Sequence, residues 1–282
     1  MKKIISVILM VSLILSVFVV GGFSASAATY NGYVFTTKNE KVTIVKYVGD
    51  KKGNLTIPSK LNGYPVTSIG DNAFEYCDEI TKITIPSGVT TIGDYAFYSC
   101  YGLKSVSIPN TVTTIGHNAF AWSSLESVKI PNSVTSLGEY AFAMCSSLTS
   151  VELPDSIECI GNRAFGYTGL ISIVIPNSVT SLGELVFYNC LSLQSINIPL
   201  SVTNIEKSTF GKCTALTDVY YSGSVIDRKN ITIAEDNEPL LHANWHYAEA
   251  VVTNLRLAEN ATQPGKKTVG KGCYLELGWW AE

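Results

Sequence analysis

"IPSGVTTIGDYAFYSC" runs from Ile85 to Cys100, and "IPNTVTTIGHNAFAWS" begins 23 residues later, at Ile108. The template returns along most of the chain. Aligned on its phenylalanine it gives Phe74, Phe97, Phe120, Phe142, Phe165, Phe187 and Phe210, spaced 23, 23, 22, 23, 22 and 23. The prolines Pro86, Pro109, Pro131, Pro154, Pro176 and Pro199 keep the same rhythm. A fixed period of this length with a single apolar template implies a solenoid, because one such unit cannot cover its own apolar face and its neighbours must.

Each position in the template has a local reason. In "LKSVSI", Leu103, Val106 and Ile108 alternate with polar residues and point inward from a strand. Pro109 has no N–H to give a neighbour, so the ladder stops there. "VTTIG" supplies a second short strand with Val112 and Ile115 inward, and Gly116 permits a positive φ or a tight turn. "HNAFAW" predicts one helical or 3-10 turn that buries Ala119 and Phe120. The expected fold is a β-rich, leucine-rich-repeat-like, right-handed stack of about seven 22–23-residue repeats, with short strands joined by single helical or 3-10 turns. At ~4.8 Å per strand, seven copies make an array roughly 34 Å long.

An open solenoid end exposes strand edges and core, so both ends require caps. At the front, Tyr33 to Tyr47 alternates apolar and polar residues around a polar turn and reads as a β-hairpin. At the back the template breaks: Glu206 replaces the glycine, Thr209 replaces the alanine, and Tyr220 to Tyr247 changes composition as a polar cap should. The expected organisation is a signal peptide at 1–27, a hairpin cap at 28–57, the solenoid at 58–221, a C-terminal cap at 222–248, and at 249–282 a tail or the truncated start of a further module. That tail carries "VTNLRLAEN" and "TVGKG", which resemble the first strands of a bacterial immunoglobulin-like module.

The signal-peptide reading rests on Lys2 and Lys3, the 17-residue apolar run Ile4–Val20, and small residues at Ala25 and Ala27. The competing reading is a membrane anchor, but the run is barely too short to span and a cleavage site follows it directly. The expected mature protein is secreted, with no membrane span, and possible association with the cell surface. A net charge of −3 without a Lys/Arg run argues against nucleic acid as a partner.

With these residues in view, the template L-x-S-V-x-I-P-x-S-V-T-x-I-G-x-x-A-F-x-x-C resembles the BspA-type leucine-rich repeats of bacterial surface and secreted proteins. The resemblance covers about Asn31 to Tyr247, caps included, and is specific for the repeat class. It implies adhesion, with binding to host or matrix proteins and no catalysis.

Five cysteines, Cys77, Cys100, Cys145, Cys190 and Cys213, each stand three residues after a repeat phenylalanine. The two remaining repeats carry Ser123 and Thr168 and are one residue shorter. The column therefore belongs to the turn, with the thiols as small apolar fillers; disulfides between neighbours are the competing reading. Cys159 and Cys273 lie off the column. Enzyme signatures are poor. His242 and His246 are spaced i, i+4 but lack the acidic residue of a zincin helix, and no nucleophile elbow, phosphate loop or dinucleotide fingerprint occurs. No catalytic residue, metal ligand or cofactor is assigned.

Binding surfaces are the better candidates, since a solenoid presents ladders of like-placed residues. One strand-face column is nearly uniform: Lys82, Ser105, Ser127, Ser150, Ser172, Ser195 and Asp218. The next varies, through Thr84, Ser107, Lys129, Glu152, Val174, Asn197 and Tyr220, and specificity is expected there. An aromatic row follows the phenylalanines at Tyr76, Tyr98, Trp122, Tyr167 and Tyr188, with Tyr95 and Tyr140 just before them. These rings either stack on a sugar or protein ligand or pack on one another to seal the core. The reading is an exported, monomeric binding or adhesion module for an extracellular protein or glycan. The alternative is a spacer or targeting module of a larger extracellular protein; a secreted hydrolase would require a buried acidic pair in a cleft.

Overall fold

A computed structural model describes residues 27–248 as one β-solenoid. The expectations at 1–26 and 249–282 lie outside the described residues. Each coil lays down two strands and a corner. The first strand face stacks nine strands: Gly53–Thr56, Ile80–Thr84, Ser105–Ser107, Ser127–Lys129, Ser150–Glu152, Ser172–Val174, Ser195–Ile198, Asp218–Tyr221 and Asn244–Tyr247. The second face also carries nine, from Lys41–Tyr47 and Tyr64–Ile69 through the two-residue strands Thr91–Ile92 to Thr232–Ile233. Nine coils rather than seven arise because the caps join the stack. The hairpin pairs Tyr33–Lys38 with Lys41–Tyr47 antiparallel, and its second strand then runs parallel to Tyr64–Ile69 as the first rung. At the far end Thr232–Ile233 and Asn244–Tyr247 continue both faces in parallel register.

The link between the faces is a turn closed by the template itself. Val89 N–H donates to Pro86 C=O, and the same bond recurs from Val112 to Pro109 and from Val134 to Pro131. Proline lacks the donor that would extend the strand and keeps the acceptor that closes the turn. Inside, the repeat phenylalanines form one column. Ring centroids stand 5.1, 5.0, 5.3, 5.7, 5.9 and 5.4 Å apart from Phe74 to Phe210, with planes within 21° of parallel. That matches the coil rise and the offset-stacked geometry aromatic pairs prefer. Tyr47 covers the front of the column, its ring 5.4 Å from that of Phe74.

Two local expectations are corrected. The corner around each phenylalanine is not a helical or 3-10 turn. The residues two before and two after it, such as Asn118 and Trp122 around Phe120, take left-handed φ angles of 52–62° in all seven repeats. Their effect is to aim the corner N–H groups at the next coil: Phe120 N–H reaches Ala141 C=O at 2.8 Å, and Trp122 N–H reaches Ala143 C=O at 2.9 Å. A helical turn would direct those donors along its own chain and leave the stack unpaired on that side. Among the described residues, helix appears only in the C-terminal cap, at Asp227–Asn230 (3-10) and Glu238–His242 (α).

The repeat glycine is also needed for a different reason from the one expected. Gly116 does not have a positive φ. Instead the glycines of successive coils stack so closely that a Cβ on Gly138 would lie 2.4 Å from the carbonyl carbon of Gly116. Close approach of two backbones, not left-handed geometry, demands glycine here.

Candidate functional site

The shared apolar positions are buried, and both strand-face columns, the uniform one and the varied one, are on the outside. Lys82 pairs with Ser105, Ser127 with Ser150 and Ser172 with Ser195, and the adjacent column pairs Thr84 with Ser107, Lys129 with Glu152 and Val174 with Asn197. Lys129 Nζ lies 2.5 Å from Glu152 Oε2 with both side chains solvated, so the pair adds little to stability. Val174 is 64% exposed, an apolar side chain standing alone on the face. Ser107 and Lys129 line one shallow hollow of about 320 Å³ with Asn110 and Asn132. It opens where the hydrogen-bonded sheet is interrupted between Ser105–Ser107 and Ser127–Lys129. At the last coils Tyr220 stacks on His246 at 4.7 Å, and His246 Nε2 meets Asp218 Oδ1 at 2.7 Å. That contact, with a second hydrogen bond from the Thr217 hydroxyl, holds the Asp218 carboxyl below its usual range.

The aromatic row divides. Tyr76 packs edge-on to Tyr98 at 6.1 Å, Tyr98 meets Tyr95 at 5.4 Å, and Tyr167 meets Tyr188 at 5.5 Å. Cations add to this: the Arg163 guanidinium lies over Tyr140 and Lys212 Nζ over Tyr188, at 5.5 and 5.3 Å. Trp122 is 42% exposed and Tyr76, for all its packing on Tyr98, 59%; Trp122 lines an open groove of about 540 Å³ together with Tyr167. Self-packing and exposure thus both occur along one row. His242 ends the cap helix and His246 lies in the final strand, so they do not share a helix face.

Sequence reasoning missed what the cysteine column does. Cys100 Sγ donates to Phe74 C=O at 3.0 Å, and Cys145, Cys190 and Cys213 reach Phe120, Phe165 and Phe187 C=O at 3.1, 3.1 and 3.0 Å. Thr168 Oγ1 donates to Phe165 C=O at 2.8 Å, and Ser123 Oγ sits 3.2 Å from Cys145 Sγ. The thiol is a donor as well as a filler. Burial pushes the Cys145 thiol up to about 11, which keeps the donated proton in place. The signal was present: the only side chains replacing Cys in that column are hydroxyls. All six described cysteines are free thiols, with Cys159 alone exposed.

A parallel stack of short strands around an apolar column, closed by turn corners and capped at both ends, defines a leucine-rich-repeat-type binding scaffold of the kind that is typically non-catalytic. The family model for the BspA type leucine-rich repeat region matches residues 67–191 and 144–235, with six copies. These matches span more than half of the chain, and it belongs to that family. Among solved structures, the chain is similar to a leucine-rich repeat protein of T. pallidum, at 25% identity with a TM-score of 0.62; the match covers 72% of this chain and 94% of that one. It also matches a leucine-rich repeat protein from Bacteroides ovatus at 27% identity, with a TM-score of 0.37 and coverage of 68% and 70%. No curated protein matches. Among the described residues, no helix is long and apolar enough to cross a membrane.

Proposed function

We propose that the chain is exported and acts as a non-catalytic binding or adhesion module for an extracellular protein or glycan, working as a monomer. One observation carries the binding reading: the strand-face column that differs between coils is exposed from Ser107 to Val174, while the shared apolar positions, from Phe97 to Phe187, are wholly buried. Side chains such as Ser107, Lys129, Glu152 and Val174 are therefore free to differ on a backbone held in register by inter-coil hydrogen bonds. A surface so fixed loses little conformational freedom when a ligand arrives. Export rests on Lys2, Lys3, the apolar Ile4–Val20 run and the small residues at Ala25 and Ala27.

The test is a binding screen of the full secreted chain against extracellular-matrix proteins and glycans, followed by substitution of the variable column. A partner whose affinity falls at least about tenfold with Lys129→Ala or Trp122→Ala supports the module, tenfold corresponding to about 1.4 kcal/mol. A chain that binds nothing in either class removes the proposal.

A further inference from the structure

The Trp122 groove owes its existence to repeat length. Five consecutive coils alternate long, short, long, short, long. The corners after Phe97, Phe142 and Phe187 carry one more residue before the strand than those after Phe120 and Phe165. The long corners stand proud at Tyr101, Ser146 and Leu191, and the short ones recede at Ser124 and Gly169. Those five corners, and no others, line the groove. Its volume of about 540 Å³ falls within the ~300–1,000 Å³ of small-ligand sites.

Its chemistry is narrow. Tyr101, Trp122, Met144, Tyr167 and Leu191 supply apolar surface, and around them stand only hydroxyls, one carboxamide and a glycine. No charged side chain lines it. The backbone donors of the floor are already committed to the next coil: Trp122, Met144, Tyr167 and Asn189 N–H bond to the carbonyls of Ala143, Gly166, Tyr188 and Gly211 at 2.8–2.9 Å. A peptide could not add to this surface as a strand, because the donors it would need are spent. An anionic ligand would lose hydration without gaining a countercharge. Ring faces flanked by neutral hydroxyl and amide groups suit a neutral sugar, whose C–H face stacks on an aromatic ring while its hydroxyl rim takes hydrogen bonds. Trp122 and Tyr167 are two coils apart, roughly 9.6 Å along the solenoid at ~4.8 Å per coil. They are therefore placed for two units of one chain with one unit between them.

We infer that this groove binds a neutral polysaccharide along the solenoid axis, with Trp122 and Tyr167 as its stacking platforms. The inference rests on the binding-module reading and narrows it to one ligand class and one site. Titration of the full secreted chain with neutral gluco-, manno-, xylo- and N-acetylglucosamine oligosaccharides, beside sulfated and uronic-acid chains of equal length, tests it. At least one neutral series should bind, quench tryptophan fluorescence, and weaken about tenfold or more in Trp122→Ala. Leu191→Arg, an exposed change on the groove rim, should do the same even if Trp122→Ala folds poorly, and Val225→Ser in the cap should not. The inference is overturned by preference for the anionic chains, by affinity unchanged in both groove variants, or by no saccharide binding at all. In that last case, capture of a matrix protein through Lys129 and Glu152 would leave the broader binding reading intact, whereas binding to neither class would remove both.

Discussion

The backbone N–H of Phe210 donates to the side-chain oxygen of Asn237 at 2.9 Å. In the six preceding coils the equivalent N–H finds a backbone carbonyl of the next coil, from Ala96 for Phe74 to Thr209 for Phe187. After the last repeat there is no such carbonyl, and one buried carboxamide stands in for it. The same amide donates to Glu206, Ala234 and Glu235 C=O at 2.9, 3.0 and 3.3 Å. The phenylalanine corner column ends there with its last N–H satisfied by a side chain.

Asn237→Leu should therefore destabilise the C-terminal coil by more than an ordinary cap change. It leaves the Phe210 N–H buried and unpaired, at about 1–3 kcal/mol, and strips a donor from the carbonyls of Glu206 and Ala234. In a solenoid each coil touches only its neighbours, so the loss should be local. Hydrogen exchange should accelerate over residues 204–248 and remain unchanged near Phe97. Uniform acceleration along the whole stack would contradict this role for Asn237.

The cysteine column makes a sharper comparison. Cys145→Ser keeps a donor for Phe120 C=O in a site where Ser123 already occupies the adjacent coil, and should cost less than about 1.5 kcal/mol. Cys145→Val fills the space but removes one of the two donors to that carbonyl, the Ser123 N–H remaining at 3.2 Å. It also takes the thiol partner from Ser123 Oγ, so it should cost about 0.5–1.5 kcal/mol more than serine. Urea denaturation of the two variants checks the order; valine equal to or better than serine would reduce the column to packing alone. Among the described cysteines, labelling of the native protein at neutral pH should modify Cys159 first, the column thiols being screened and, as at Cys100, shifted upward by burial.

Much of this architecture was readable from period alone. The 22–23-residue spacing of Phe74 to Phe210 implied stacked coils, and the alternation in Leu103, Val106 and Ile108 implied the strand face. What stayed hidden depends on contacts between coils, which a single repeat does not display. "HNAFAW" looks like a helical turn locally, yet left-handed φ at Asn118 and Trp122 wins because it pairs the corner with its neighbour. Gly116 looks like a turn glycine, yet its job is to let Gly138 approach. The candidate site was half legible. Trp122 and Tyr167 were visible as an aromatic row, but the groove they line follows from one missing residue in each of two coils. That deletion was present in the Phe120–Phe142 and Phe165–Phe187 spacings.

Gly138→Ala tests the close-approach argument. The new methyl would sit 2.4 Å from Gly116 carbonyl carbon and 2.5 Å from its oxygen, so the two coils must separate. Overpacking of this kind costs about 1–3 kcal/mol. Gly63→Ala, whose Cβ would meet nothing within 4 Å but whose φ is +85°, probes the other glycine mechanism. It should cost about 1 kcal/mol through backbone strain. Thermal unfolding should rank Gly138→Ala as the more damaging change, and equal losses would mean that stacking distance is not what selects glycine.

The last coil gives the molecule an acid-sensitive contact. Asp218 on the strand face is held by His246 Nε2 at 2.7 Å and by the Thr217 hydroxyl, and its carboxyl is lowered chiefly by the histidine bond. A carboxylate whose folded value lies below its unfolded one of about 3.9 stabilises the fold fully above that pH, and its contribution disappears as pH falls through the lower folded value. Because the pair joins Asp218–Tyr221 to Asn244–Tyr247, acidification should loosen the C-terminal coil before the centre of the stack. His246→Ala should raise the Asp218 titration midpoint toward the free carboxylate, measured by carboxyl-carbon NMR, and should also release the ring stacked on Tyr220. An Asp218 midpoint unmoved by His246→Ala would show that Thr217, not the imidazole, sets it.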